Sequence, residues 1–250
     1  QWIATNTRPD LSAGVSISAG NVTRATPADL QEANKLVKTA KAESDLPLIF
    51  NPIPIDNLRF VSFSDSSWAN RSDGSSQGGQ LHLITDKDIL DGKQSWASII
   101  DWKSWKLKRV TRSSLAGEVQ AFSDCQDTQE WLRTFWLEIW KPGGIKLKES
   151  DNHLASDHLS TILTDCKSLY DALAKVETSG LQLTEKRSAI EATGCKVRLH
   201  QTNCAVRWVN SDRQLADGLT KPEACDNLRK FQRQGSVSYT HLTLPTMRTV

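Results

Sequence analysis

Leu58-Arg-Phe-Val-Ser-Phe-Ser-Asp65 is a short run of aromatic and aliphatic residues that ends on an acid. Its composition predicts a strand. An acid at the end of a strand can project into a cleft, or it can simply open the turn that Ser66 and Ser67 would continue. Reading outward decides the fold class. A turn-rich patch, Asn70-Arg-Ser-Asp-Gly-Ser-Ser-Gln-Gly-Gly79, leads to a second predicted strand at Gln80–Thr85. Ala97–Trp102, and Leu107–Val110 after a basic turn, suggest a third. Ser113–Trp140 reads as one long helix, stopped by Lys141-Pro-Gly-Gly. Then come a strand at Leu159–Asp165, a helix at Cys166–Lys175 and a helix from Thr184 to about Gln201, weakened by Gly194. A strand at Ala205–Val209 and a short helix at Asp212–Thr220, ended by Pro222, complete the pattern. Three strands followed by alternating helices and strands predict an α/β domain, a mixed sheet with helices on its faces.

Upstream of Leu58 the chain is polar and mixed. Pro27 opens a helical pattern through Leu30, Ala33, Leu36 and Val37, and Asn51-Pro-Ile-Pro breaks it. Residues 1–57 are expected to be a connecting segment, and 58–222 the main domain. Because the chain opens on Gln1 in mid-pattern, it reads as part of a longer reading frame. Residues 223–250 are expected to be a disordered tail. Within it, 237–246 resembles one frame of a sequencing-library adapter and is set aside as read-through.

The bulk numbers exclude several classes. A net charge of +2 means that any basic surface must be local. Five scattered cysteines, none spaced CxxC, argue against a disulfide framework or a zinc knuckle and fit reduced thiols. No apolar run approaches the roughly 18 residues of a membrane span. Most of the nine tryptophans are expected to pack in the core.

Four carboxylates stand out. Leu115, Glu118, Val119 and Phe122 share one helix face, and an ionised acid on an apolar stripe is expensive unless a cation compensates it. A Glu at the stripe's edge, reaching water, remains the alternative. Asp65 and Asp165 each end a strand, although Asp165 also suits a plain N-cap. Asp217, in Gln214-Leu-Ala-Asp-Gly-Leu-Thr-Lys221, reads alone as a surface acid. The intervals of 53, 47 and 52 residues each hold enough secondary structure to bring the chain back to one sheet edge. Four acids gathered there would repel unless cations were bound, and oxygen ligands favour Mg²⁺ or Mn²⁺.

Residues 2–221 resemble the connection and ribonuclease H region of a copia-type retrotransposon polyprotein. The likeness rests on Ala4-Thr-Asn-Thr-Arg-Pro-Asp-Leu11, Ser64-Asp-Ser-Ser-Trp-Ala69, Trp102-Lys-Ser-Trp-Lys106, Val110-Thr-Arg-Ser-Ser-Leu-Ala-Gly-Glu118 and Thr164-Asp-Cys-Lys-Ser168. The most specific motif is Val206-Arg-Trp-Val-Asn-Ser-Asp-Arg-Gln-Leu-Ala-Asp-Gly-Leu-Thr-Lys221. The resemblance implies a ribonuclease H-like fold: a five-stranded mixed sheet, its first three strands antiparallel, flanked by helices. It implies that Asp65, Glu118, Asp165 and Asp217 hold two Mg²⁺ or Mn²⁺ ions and hydrolyse the RNA strand of an RNA–DNA hybrid during reverse transcription. The implied neighbour is the polymerase domain upstream in the polyprotein, and the implied place is a cytoplasmic virus-like particle. No membrane or small-molecule cofactor is expected. Two departures are visible: Ala116-Gly117 replaces the family's acid and Ala, and Glu185–Glu191 lacks its His-rich run. No Tyr-x-Asp-Asp polymerase motif is present.

For the nucleic acid, the best basic candidates are Lys103, Lys106, Lys108, Arg109 and Arg112, with Trp102 and Trp105 interleaved; a solvated hairpin tip is the bland alternative. Trp131, Phe135, Trp136 and Trp140 are expected in the core. Two other functions compete. A non-catalytic relic of a decayed element would keep the fold and at most bind nucleic acid. An integrase would place its Glu last of the acids and carry a His/Cys zinc module, and this chain does neither.

Overall fold

The structure, a computed structural model, describes residues 1–157, 160–174 and 185–237. The chain opens with helices α1 (Trp2–Asn6), α2 (Ser12–Asn21) and α3 (Pro27–Ala42). Thr26 caps α3 reciprocally with Asp29, and Pro27 occupies its first turn. Three long strands follow, β1 (Leu58–Ser67), β2 (Gln77–Asp86) and β3 (Ser95–Lys106), and then helix α4 (Ser114–Trp140). The remainder is α5 (Ser150–Ser156), β4 (Ser160–Thr164), α6 (Lys167–Ala174), α7 (Lys186–Gln201), β5 (Cys204–Trp208), α8 (Asp217–Thr220), α9 (Asp226–Gln234) and β6 (Ser236–Val237). Leu159, Lys175 and Thr184, expected at element ends, lie outside the described residues.

The strand order is β5-β4-β1-β2-β3-β6. β1, β2 and β3 are antiparallel neighbours, while β4 and β5 run parallel to β1 on its other side. This is the mixed sheet expected from the sequence, with one addition: the short β6 pairs with the start of β3.

Each face of the sheet carries its own core. On one, Val61, Phe63, Leu81, Leu83 and Leu163 pack against Leu215, Leu219, Leu228 and Phe231. On the other, Ile162 and Cys204 pack against Val119 and Phe122 of α4, Leu169 and Leu173 of α6, and Ala192, Cys195 and Leu199 of α7. The alternation of β1 follows directly. Val61 and Phe63 face the first core, and Ser62 turns to α4, where its hydroxyl accepts from Gln129 Nε2 at 2.8 Å.

Three expectations are corrected. The tail from 223 onward is not disordered up to Val237: α9 buries Leu228 and Phe231 in the first core, and Gly235 ends it in the left-handed conformation. The adapter-like stretch lies, beyond Val237, outside the described residues. The third strand is continuous through Lys106, so Lys103 and Lys106 stand on β3 rather than in a turn. The aromatic end of α4 is not core, since Trp131, Phe135, Ile139 and Trp140 are exposed. Gln129 and Arg133 take the buried positions of this half of α4, which leaves Trp131 and Phe135 on its solvent side. There Trp131 and Phe135 stack on each other, ring centroids 5.7 Å apart, and Trp136 meets Phe60 edge-on.

Residues 1–57 do not stand apart from the rest. Asp10 is buried and receives Arg8 (2.8 and 2.9 Å) and Arg229 of α9 (3.1 Å). Trp102 of β3 donates its indole N–H to Ala4 O at 2.8 Å.

Candidate active site

Parallel register sets the site. Phe63 lies beside Leu163, so two residues further on Asp65 and Asp165 stand at the same level. Asp165 is just past the end of β4, and Asp65 is still inside β1, which runs on to Ser67 rather than ending on the acid as the sequence suggested. Asp65 continues the face of Val61 and Phe63 and is buried. Glu118 comes from the opposite face, one turn into α4, whose start is fixed by Ser113 Oγ accepting from Ala116 N at 3.2 Å. One carboxylate oxygen from each of Asp65, Glu118 and Asp165 lies within 4.8 Å of the others.

Small polar groups hold these acids. Glu118 Oε1 accepts from the amide (3.2 Å) and hydroxyl (3.0 Å) of Ser66. Asp165 Oδ2 accepts from Ser211 Oγ at 2.6 Å. Asp65 Oδ2 accepts from Thr220 Oγ1. Gln214 ties the closing segment to β1, donating to Ser64 O at 3.0 Å. Two glycines permit the close approaches. A Cβ on Gly79, opposite Asp65 on β2, would stand 2.8 Å from Thr220 Cγ2, so the glycine lets α8 reach the sheet. A Cβ on Gly117 would stand 2.8 Å from Ser66 Oγ.

Asp217 is not in the converging trio. It begins α8, and its Oδ1 pairs with Lys221 Nζ at 2.7 Å. Its charge is nevertheless close enough to act on Asp65. Burial, then the charges of Asp217 and Asp165, push the Asp65 carboxyl up to about 7, against the opposing pull of Lys221 and Thr220. Burial, then Asp65 and Asp165, raise Glu118 as well.

The trio suits a divalent cation. Its donors are all oxygen, as hard cations prefer, and Glu118 Oε2 is buried with no hydrogen-bond partner. A buried carboxylate oxygen without a partner is costly, and a cation at the trio would supply one.

The basic residues divide. Lys106 is paired with Asp73 at 2.5 Å and Arg109 with Glu191. Lys103 is exposed, its ammonium 5.1 Å from the Trp105 ring centroid. Lys108 and Arg112 are exposed and make no ion pair among the described residues. They flank Thr111 in the loop that enters α4, which Trp68 Nε1 (to Thr111 O, 3.2 Å) and Ser76 Oγ (to Thr111 Oγ1, 2.6 Å) hold in place. Trp102 and Trp105 do not join this surface, because one is covered by the N-terminal segment and the other is buried. Sequence reasoning missed Ser66, Ser211, Thr220 and Lys221 as parts of the site. Only their place inside the quoted motifs could have pointed to them.

No family model matches the sequence, and no curated protein does. Solved structures do. An RNase H1 isolated from compost, LC11, is 12% identical over 68% of this chain and 97% of its own, with a TM-score of 0.44. The foamy viral protease–reverse transcriptase in complex with an RNA/DNA hybrid is 12% identical over 69% of this chain, TM-score 0.41; the match spans 21% of that larger chain. An N-terminal RNase H domain from Mycobacterium tuberculosis, solved as a fusion with maltose binding protein, is 13% identical over 69% of this chain and 97% of the matched chain, TM-score 0.38. At these values the likeness decides nothing about chemistry, which the site's geometry has to carry.

Proposed function

We propose that this chain is a metal-dependent endonuclease of the ribonuclease H type that hydrolyses the RNA strand of RNA–DNA hybrids during reverse transcription of a copia-type element. The observation that carries the reading is the meeting of Asp65, Glu118 and Asp165, one of which, Glu118, has a buried carboxylate oxygen without a hydrogen-bond partner. Such an arrangement is destabilising in a protein that does not bind a cation.

Asp65, Glu118 and Asp165 would hold one ion, and Asp65 with Asp217 a second. Bound there, two ions supply activation of the attacking water and charge stabilisation on the leaving 3′ oxygen. The chain's own residues do the rest. Ser66, Thr220 and Ser211 fix the carboxylates in position. Lys108 and Arg112, beside the entry to α4, hold backbone phosphates without reading sequence. Preference for a hybrid over duplex DNA rests on 2′-hydroxyl contacts in the minor groove. The exposed apolar side chains of the N-terminal helices, among them Trp2, Leu30 and Val37, suit contact with an upstream polymerase domain.

The test is Mg²⁺- or Mn²⁺-dependent cleavage of a hybrid labelled on its RNA strand. Asp65→Asn abolishes cleavage on this reading, and an Asp65→Asn protein with full activity would sink it. Binding of hybrid without metal-dependent cleavage in the unaltered chain would instead establish the non-catalytic alternative.

A further inference from the structure

Lys221 follows the last residue of α8 and donates its backbone N–H to Asp217 O at 2.9 Å. Its side chain folds back along the same turn, which puts Nζ 2.7 Å from Asp217 Oδ1. Thr220, immediately before it, is buried and hydrogen-bonded to Asp65. The segment therefore delivers a hydroxyl to one acid of the cluster and an ammonium to another. The ammonium is half-buried and sits within 2.7 Å of a carboxylate of the acidic cluster.

We propose that Lys221 is a built-in counter-ion of the acidic cluster, a positioning residue that holds Asp217 and competes with a divalent ion for it. The inference rests on the nuclease reading above and goes beyond it. An ion held by Asp65, Glu118 and Asp165 leaves the Lys221–Asp217 pair intact. An ion that uses Asp217 binds a carboxylate already paired through Oδ1 with Nζ, against the repulsion of the ammonium. The two ion sites are therefore unequal, and Lys221 sets the difference.

Calorimetric titration of the full chain with Mn²⁺ tests this without reference to turnover. In the unaltered chain two affinities are expected, the weaker lost in Asp217→Asn and both impaired in Asp65→Asn. Lys221→Met, which keeps the length of the side chain and removes its charge, tightens the weaker affinity by about fivefold, the scale of one partly exposed ion pair. Lys221→Arg leaves it near its original value, and in the Asp217→Asn background Lys221→Met does not restore a second affinity. Lys221→Gln serves the same purpose if the Met variant does not fold. Asp65-dependent binding that is identical in the original chain and in both neutral variants overturns the role of Lys221 and leaves the nuclease reading standing. Absence of any Asp65-dependent Mn²⁺ binding overturns both.

Discussion

Gly117 stands where helix propensity alone would favour alanine by about 1 kcal/mol. The structure gives the reason it is tolerated. A Cβ there would press on Ser66 Oγ, the group that donates to Glu118 Oε1. Gly117→Ala thus gains propensity and loses the support of a site acid. The expected result is at least a tenfold fall in hybrid cleavage with little change in stability, read by kcat/KM beside a urea melt. Ser66→Ala opens the needed space while the Ser66 amide still serves Glu118. The double variant is therefore more active than the two single losses combined predict, with a coupling of about 1 kcal/mol; simple additivity would refute the steric account. At this scale the sequence was uneven. Glu118 announced itself because an acid on the stripe of Leu115, Val119 and Phe122 has to be explained. Ser66, Thr220 and Ser211 did not, because a hydroxyl beside an acid reads locally as a turn or a cap. Asp217 was identified by its flanking residues alone, and those could not show that its Oδ1 is paired with Lys221.

Among the elements, β1 and the N-terminal half of α4 were legible, since each has a clean period and a clear stop. The third strand was cut short on paper because Lys103, Lys106 and Lys108 suggested a turn. At and just past the end of this edge-proximal strand Lys106 and Lys108 alternate with the buried Trp105 and Leu107, while Lys103, of the same parity as Trp105, lays its ammonium against that ring. The C-terminal half of α4 misled in the opposite direction: its aromatic spacing is helical, but the buried positions there go to the polar Gln129 and Arg133, which pattern reading puts on the solvent side. The corrected placement sharpens the substrate contacts. Lys108 and Arg112, on the loop entering the Glu118 helix, have no ion pair among the described residues, whereas Lys106 is committed to Asp73. Lys108→Ala and Arg112→Ala should each weaken hybrid binding at all sequences and reduce the slope of log K against log salt by about one. Lys106→Ala should do less, since part of its charge is already neutralised. Fluorescence anisotropy over a salt series checks the ranking, and equal effects from all three would refute it.

The whole molecule is held together by contacts that no local pattern contains. Asp10, near the N-terminus, pairs with Arg8 and with Arg229 near the end of the described chain. Asp10→Ala leaves two arginines without their partner in a buried setting, an expected loss of about 3–5 kcal/mol in a urea melt. Asp226→Ala, which removes only the exposed partner of Arg229, should stay within about 0.5 kcal/mol. The acidic cluster acts on stability in the other direction, and pH exposes it. In the folded chain Asp65 holds its proton up to about 7, and Glu118 is raised as well, whereas both ionise near 4 once unfolded. Between those limits the folded state binds more protons than the unfolded one, so stability falls as pH rises through that window, and above about 7 the Asp65 penalty is complete. A divalent ion requires the carboxylates deprotonated, which makes its stabilisation small at pH 5 and large at pH 8. Thermal melts in chelator and in Mn²⁺ at pH 5, 6.5 and 8 should show the two curves diverging with pH. Asp65→Asn removes the buried charge and should flatten both trends, raising stability in chelator at pH 8. A variant that keeps the original pH slope would place the ionic penalty elsewhere than in the buried cluster.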